Sequence, residues 1–151
     1  MKKINFKQLI ISFSVVAILV LFSMILTKNE MSFYEELKKP VLAPNKILFP
    51  IVWTILYTIL AVTLYLVIDD NRLVTAIVVN LVINVIWPVL FFRFHMLLFS
   101  SIWLLLLIVS LLYLLYLLYK RNKIYAYINI PYLFWCFFAL YLNIGLYILN
   151  R

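Results

Sequence analysis

Two tryptophans, Trp53 and Trp135, stand in long stretches that carry no charge. Each indole joins a large apolar ring system to a single N–H donor, which usually finds an acceptor when buried. Trp53 and Tyr57 are four residues apart and share a helical face with Ala61. Asn80, Asn84, Trp87 and Phe91 follow one another at spacings of four, three and four. Trp135, Phe138, Ala139, Leu142 and Asn143 form a third stripe of the same kind. Polar groups in an apolar surrounding must find partners, so these stripes should turn inward. Aromatic walls with a few fixed polar groups describe a pocket for a flat, hydrophobic molecule. The same residues have a plainer reading. An asparagine between membrane helices is commonly glue worth about 1 kcal/mol, and a tryptophan near a span end is commonly an interfacial anchor. Asn80 is assigned to the glue, and Asn84 and Trp87 to the pocket wall.

Other chemistry is poorly served. No ionisable side chain lies deep in an apolar run, and the one histidine, His95, sits in "RFHM" between two of them. Ion-coupled transport generally needs such a group inside the membrane. A single histidine cannot ligate haem in pairs, and no Cys/His cluster is available for a metal. Neither a nucleophile–base pair nor a carboxylate pair occurs in these runs. No cofactor and no metal is therefore expected, and any chemistry belongs to the ligand while the protein shapes its site.

The elements that must carry these stripes are membrane helices. The chain has 151 residues, 68% hydrophobic and 12% charged, against about a quarter charged in a soluble domain. Charges leave positions 8–27, 47–68, 73–92, 94–119 and 124–150 free of Asp, Glu, Lys and Arg, and roughly 20 apolar residues span a bilayer. The expectation is an all-α bundle of five transmembrane helices in one domain, with spans near 6–27, 47–68, 73–92, 97–119 and 124–149. The first run exceeds a usual signal-peptide core and is followed by no small-x-small cleavage site, so it is read as a retained helix. Residues 28–46 form the long connection, where Ser32 could cap a short helix, with Glu35 at its third position and Pro40 as its stop. Pro88, in "NLVINVIWPVLFF", should loosen and kink the third span.

The net charge of +8 is spread over the short links, which suits phospholipid head groups and not nucleic acid. Lys2, Lys3, Lys7, Arg72, Lys120, Arg121 and Lys123 fall on one side, and Lys28, Lys38, Lys39, Lys46, Arg93 and Arg151 on the other. That near-balance tilts only slightly toward an N-terminus inside, helped by the tight "KRNK" link and the Tyr119, Tyr125 and Tyr127 belt around it. A composition rich in Ile, Lys and Asn points to a bacterial cytoplasmic membrane.

Three blocks carry a resemblance. "FYEELKKPVLAPNKILFPIVWTILY" is similar to K-P-x-W-x-P-P-x-W-x-F-x-x-V-W-T-x-L-Y of the TspO/MBR family, and "NLVINVIWPVLFF" to its N-x-x-W-x-P-x-F-F. "PYLFWCFFALYLN" is close to its P-Y-x-x-W-x-x-F-A-x-x-L-N and is the most specific of the three. The chain departs from the pattern at Leu42 and Ile47, where the family has loop tryptophans, and at Asn45, where it has a second loop proline. "SSIWLLLL" replaces a fourth-span segment that often holds an Asp. The resemblance implies a pocket enclosed by five helices and covered by the first loop. The ligands it implies are tetrapyrroles such as protoporphyrin or haem, cholesterol, or synthetic aromatic amides. Carried over by position, it implies ligand contacts from Tyr34, Pro40, Trp53, Tyr57, Asn84, Trp87, Phe91, Trp135, Ala139, Leu142 and Asn143. A permissive cholesterol motif would fall at Leu142, Tyr147 and Arg151. A homodimer is implied by the resemblance alone. Three functions fit: a tetrapyrrole-binding receptor or sensor, a light-dependent porphyrin-degrading site with Trp53 and Trp135 as its catalytic residues, and a porphyrin or lipid carrier.

Overall fold

The computed structural model describes residues 4–28 and 30–151, with Met31 described by its backbone alone. All regular structure among them is helical. The elements are α1 (Phe6–Leu26), α2 (Met31–Glu36), α3 (Leu48–Leu66), α4 (Asn71–Pro88), a π-helical turn (Val89–Arg93), α5 (Leu97–Arg121), α6 (Lys123–Tyr127) and α7 (Ile130–Leu149). Five segments are long and apolar enough to cross a membrane: Phe6–Leu26, Leu48–Leu66, Asn71–Arg93, Leu97–Arg121 and Lys123–Leu149. Lys2 and Lys3, weighed above for orientation, lie outside the described residues.

Helix starts follow local polar chemistry. The first turn of a helix leaves N–H groups without partners. Asn5 supplies an acceptor to Gln8 N at 3.3 Å in α1, and Asp70 to Arg72 N and Leu73 N at 3.1 and 3.2 Å in α4. Asn122 does the same for Ile124 N at 2.9 Å in α6. Inside the spans, hydroxyls bond back to the carbonyl four residues earlier, as Thr54, Thr58 and Thr63 do along α3. These groups are thereby satisfied without water.

Two local expectations meet different outcomes. The capping box at Ser32 does not form: α2 is capped at Glu30 without a side-chain bond, so Ser32 lies within the helix, and Glu35 reaches out to Lys46 instead. The chain turns extended at Leu37, so the helix ends before Pro40 is reached. Pro88 does disturb its span. With no N–H it leaves the Asn84 carbonyl without the usual helical donor, and the next residues wind into the π-turn, closed by Phe94 N on Val89 O at 3.1 Å. His95 follows at φ 55° and reverses the chain into α5. That left-handed conformation is open to His more than to bulky residues.

The spans form a ring. Close seams join α3 to α1, α1 to α4, α4 to α5 and α5 to α7. The remaining seam, α7 against α3, has no comparably close backbone approach. Polar ties cross several seams. Trp103 Nε1 donates to Ile83 O at 2.8 Å between α5 and α4. Asn143 Nδ2 reaches Leu97 O, Ser100 Oγ and Ser101 Oγ at 2.7–2.9 Å between α7 and α5. Exposed side chains on the outer faces are mostly apolar, as α1 illustrates with Ile10, Ile18, Phe22 and Ile25. Such a surface suits lipid, since in water it would form one large adhesive patch.

Candidate functional site

The ring encloses a polar thread under an aromatic layer. Tyr57 Oη donates to Asn84 Oδ1 at 2.7 Å, and Asn84 Nδ2 donates to Tyr132 Oη at 2.7 Å. Tyr132 Oη donates in turn to Asn80 Oδ1 at 3.0 Å, and Asn80 Nδ2 to Ser110 Oγ at 2.7 Å. The thread ties α3, α4, α5 and α7 together through groups that would otherwise be stranded in lipid. Asn80 plays the joining part expected of it. Asn84 is buried and bonded at both ends of its amide, so it shapes the floor through Tyr57 and Tyr132.

The rings of Trp53, Trp87 and Trp135 gather above this thread. Trp53 stacks on Tyr57 at 5.4 Å and lies 6.4 Å from both Trp87 and Trp135. Trp87 Nε1 donates to Asn143 Oδ1 at 3.2 Å. Trp135 differs: its Nε1 is buried and has no hydrogen-bond partner among the described residues. A buried donor left unpaired costs about 1–3 kcal/mol, so this N–H is the group in the interior most in need of an acceptor.

A small cavity, referred to below as the chamber, lies between these rings and the first loop. Its volume is about 20 Å³, and its lining includes Tyr34, Phe49, Trp87, Phe91, Phe92, Ala139, Leu142, Asn143 and Leu146. Tyr34 forms the roof. It is 3% exposed, meets Phe49 edge-on at 5.4 Å and donates to Pro44 O at 3.3 Å. Burial pushes its phenol pKa up, so it stays a neutral donor. The loop is fastened around that roof. Lys38 N and Lys38 O both bond the Asn150 amide at 2.9 Å. Arg93 Nη1 holds Glu30 at 3.0 Å, and Phe33 stacks on His95 at 3.9 Å. Lys46 bonds Glu35, and that hydrogen bond with its charge holds the carboxyl below its usual range. Pro40 lies on Gly145.

The predicted residues divide by position. Tyr34, Trp87, Phe91, Ala139, Leu142 and Asn143 line the chamber. Trp53, Tyr57 and Asn84 form the layer beneath it. Trp135 and Phe138 face a separate groove between α3 and α7, and Pro40 anchors the loop without lining the chamber. Leu142, Tyr147 and Arg151 do not share a surface. Leu142 points into the chamber, whereas Tyr147 and Arg151 border an outer groove beside His95. Phe49, Phe92 and Leu146 line the chamber without having been singled out. Phe49 was within reach, four residues before Trp53 on the same face. Phe92 was not, because the π-turn shifts it off the helical period.

The departures in the loop also find their places. Leu42 and Ile47 are 65% and 61% exposed, away from the roof. Asn45 Oδ1 accepts from Ile47 N at 3.1 Å and helps start α3. Closure of the loop is therefore carried by Tyr34, Pro40 and the polar fastenings.

Five helices, a polar thread, an aromatic layer and a fastened loop define an integral membrane protein built around an interior site. The chain belongs to the TspO/MBR family, whose model matches residues 10–149. The sequence is 28% identical over 124 residues to the tryptophan-rich protein TspO of Archaeoglobus fulgidus, covering 79% of this chain and 80% of that one. It is 30% identical over 125 residues to the tryptophan-rich protein TspO of Chlorobaculum tepidum, covering 78% and 79%. It is 27% identical over 126 residues to protein CrtK of Rhodobacter capsulatus, covering 79% of each. Fold and family together make it a membrane protein of the sensor or receptor kind.

Proposed function

We infer that this protein is a membrane receptor for flat hydrophobic ligands, with tetrapyrroles such as protoporphyrin or haem as the leading class. The observation that carries the reading is the half-buried Trp135 ring, whose Nε1–H is buried and without a partner among the described residues, in a cluster with Trp53, Tyr57 and Trp87. Such a site offers π-faces for a planar ring and one donor for an acceptor on it. Cholesterol and synthetic aromatic amides share the flat apolar shape and are secondary candidates. The setting proposed is a bacterial cytoplasmic membrane, with the chain as a homodimer.

The chamber of about 20 Å³ holds about one water, whereas ligand pockets run to roughly 300–1,000 Å³. The liganded state therefore needs the interior to open. Titration of the purified protein in detergent with protoporphyrin, followed by tryptophan fluorescence, tests the reading. Saturable quenching in the micromolar range, about −8 kcal/mol, is expected. A folded protein that shows no saturable quenching contradicts it.

A second reading, light-dependent oxidative breakdown of the porphyrin, is favoured by one observation. Trp53 lies 6.4 Å from both Trp87 and Trp135, so three oxidisable rings form a chain beside the site. Illumination of the loaded protein separates the two. New absorption bands that depend on Trp53 or Trp135 favour breakdown, and an unchanged spectrum favours binding alone.

A further inference from the structure

The chamber and the membrane-facing surface are separated at one place by two ring side chains, Phe49 and Trp135. Phe49 lines the chamber, and its ring meets Trp135 edge-on at 6.1 Å. On the far side of Trp135 lies a groove of about 550 Å³ between α3 and α7, walled by Ile55, Leu56, Pro131 and Phe134. Ile55 and Phe134 at its mouth are 56% and 71% exposed on the membrane-facing surface.

The seam behind the groove is lightly held. Between α3 and the α7 segment, the direct side-chain hydrogen bond seen among the described residues is Asn129 Nδ2 to Thr63 Oγ1, 2.8 Å, at the end away from the loop. Toward the loop the two helices meet through ring edges: Trp53 with Trp135 at 6.4 Å, Trp53 with Tyr132 at 6.3 Å, and Phe49 with Trp135. Ring edges separate without stranding a polar group. Trp135 also loses no hydrogen bond on moving, because its Nε1 has none. The route through the loop is different. Opening it breaks both Lys38–Asn150 bonds and the Glu30–Arg93 pair, and lifts Pro40 from Gly145.

We propose that the α3–α7 groove is where a flat hydrophobic ligand docks from the bilayer, and that Trp135 is the gate through which it passes into the interior. This rests on the receptor reading above and adds the route. A planar apolar molecule concentrates in the membrane, so the groove meets it in the phase where it resides. Its hydrogen-bond acceptor takes the Trp135 N–H as the ring swings aside, which supplies the missing partner at the moment the Phe49–Trp135 contact opens. The fastened loop then acts as a fixed roof.

The test is uptake of protoporphyrin from preloaded vesicles into proteoliposomes of the full chain, followed by the shift of its main absorption band in stopped flow. Ile55→Trp fills the mouth of the groove on a lipid-facing position, and Glu30→Gln weakens the roof. With Ile55→Trp, uptake and release both slow about tenfold while equilibrium affinity is kept; with Glu30→Gln, both rates stay as in the wild type. Wild-type rates in Ile55→Trp, or faster uptake in Glu30→Gln, overturn the lateral route while leaving the receptor reading standing. A wild-type protein that takes up no porphyrin overturns the receptor reading, and the gate with it.

Discussion

A Cβ placed on Gly145 would lie 3.0 Å from both Cβ and Cγ of Pro40. The single glycine of the chain thus lies where the loop proline rests on α7. Its φ is not positive, so the requirement is for space alone. Gly145→Ala should push the Pro40 ring outward and weaken the roof by about 1–3 kcal/mol. Hydrogen exchange in residues 32–46 should rise by about tenfold, with the spans unaffected. Unchanged exchange there would mean that the loop is held by its polar fastenings alone.

Asn84→Ala removes the amide that joins two phenols, leaving Tyr57 and Tyr132 each short of a partner. The thermal midpoint in detergent should fall by an amount corresponding to about 1–3 kcal/mol. Ligand affinity should change less, because the amide acts on the site through the two rings. A large loss of affinity with an unchanged midpoint would place Asn84 in direct contact with ligand.

The roof should have a pH window. The Glu35 carboxyl sits below its usual value of about 4.3 through its hydrogen bond and charge pairing with Lys46. Its contribution is present above that value and is lost as pH falls through the lower, folded value. The Tyr34 phenol is raised by burial. Its contribution is intact below about pH 10 and is lost as pH rises through the higher, folded value. Loop exchange, corrected for intrinsic pH dependence, should be lowest between these limits. Glu35→Gln should weaken the acid limb and keep the alkaline one.

Trp103→Phe separates packing from binding. Its Nε1 donates to Ile83 O between α5 and α4 and has no part in the chamber. Stability should drop by about 1 kcal/mol, with protoporphyrin affinity unchanged.

Much of this architecture was legible because charges in the sequence fall at the ends of the spans and in the links between them. The five spans and the inward stripes follow from charge-free length and helical spacing, and Asn80 reads as a joining residue for the same reason. The reasons for the misses are specific. Ser32 lost its cap role because Glu30 and Phe33 are drawn to Arg93 and His95, a tertiary choice invisible in a six-residue helix. Phe92 was hidden because a π-turn after Pro88 breaks the period on which stripes are read. That Asn84 would be bonded at both ends of its amide, and the Trp135 N–H left without a partner, depends on which groups meet across helices. Spacing within one helix carries no record of that.

The most direct measurement compares Trp135→Phe with the wild type for protoporphyrin affinity and for thermal midpoint without ligand. In the free protein the indole N–H is buried and unpaired, so replacing it with a phenyl ring removes an unmet donor while keeping most of the apolar area. The unliganded midpoint should hold or rise. In the complex the same change leaves a ligand acceptor without its partner. Affinity should fall about tenfold or more, equivalent to about 1–3 kcal/mol. An unchanged affinity, with both proteins folded, would contradict the central claim that Trp135 is the donor waiting for the ligand.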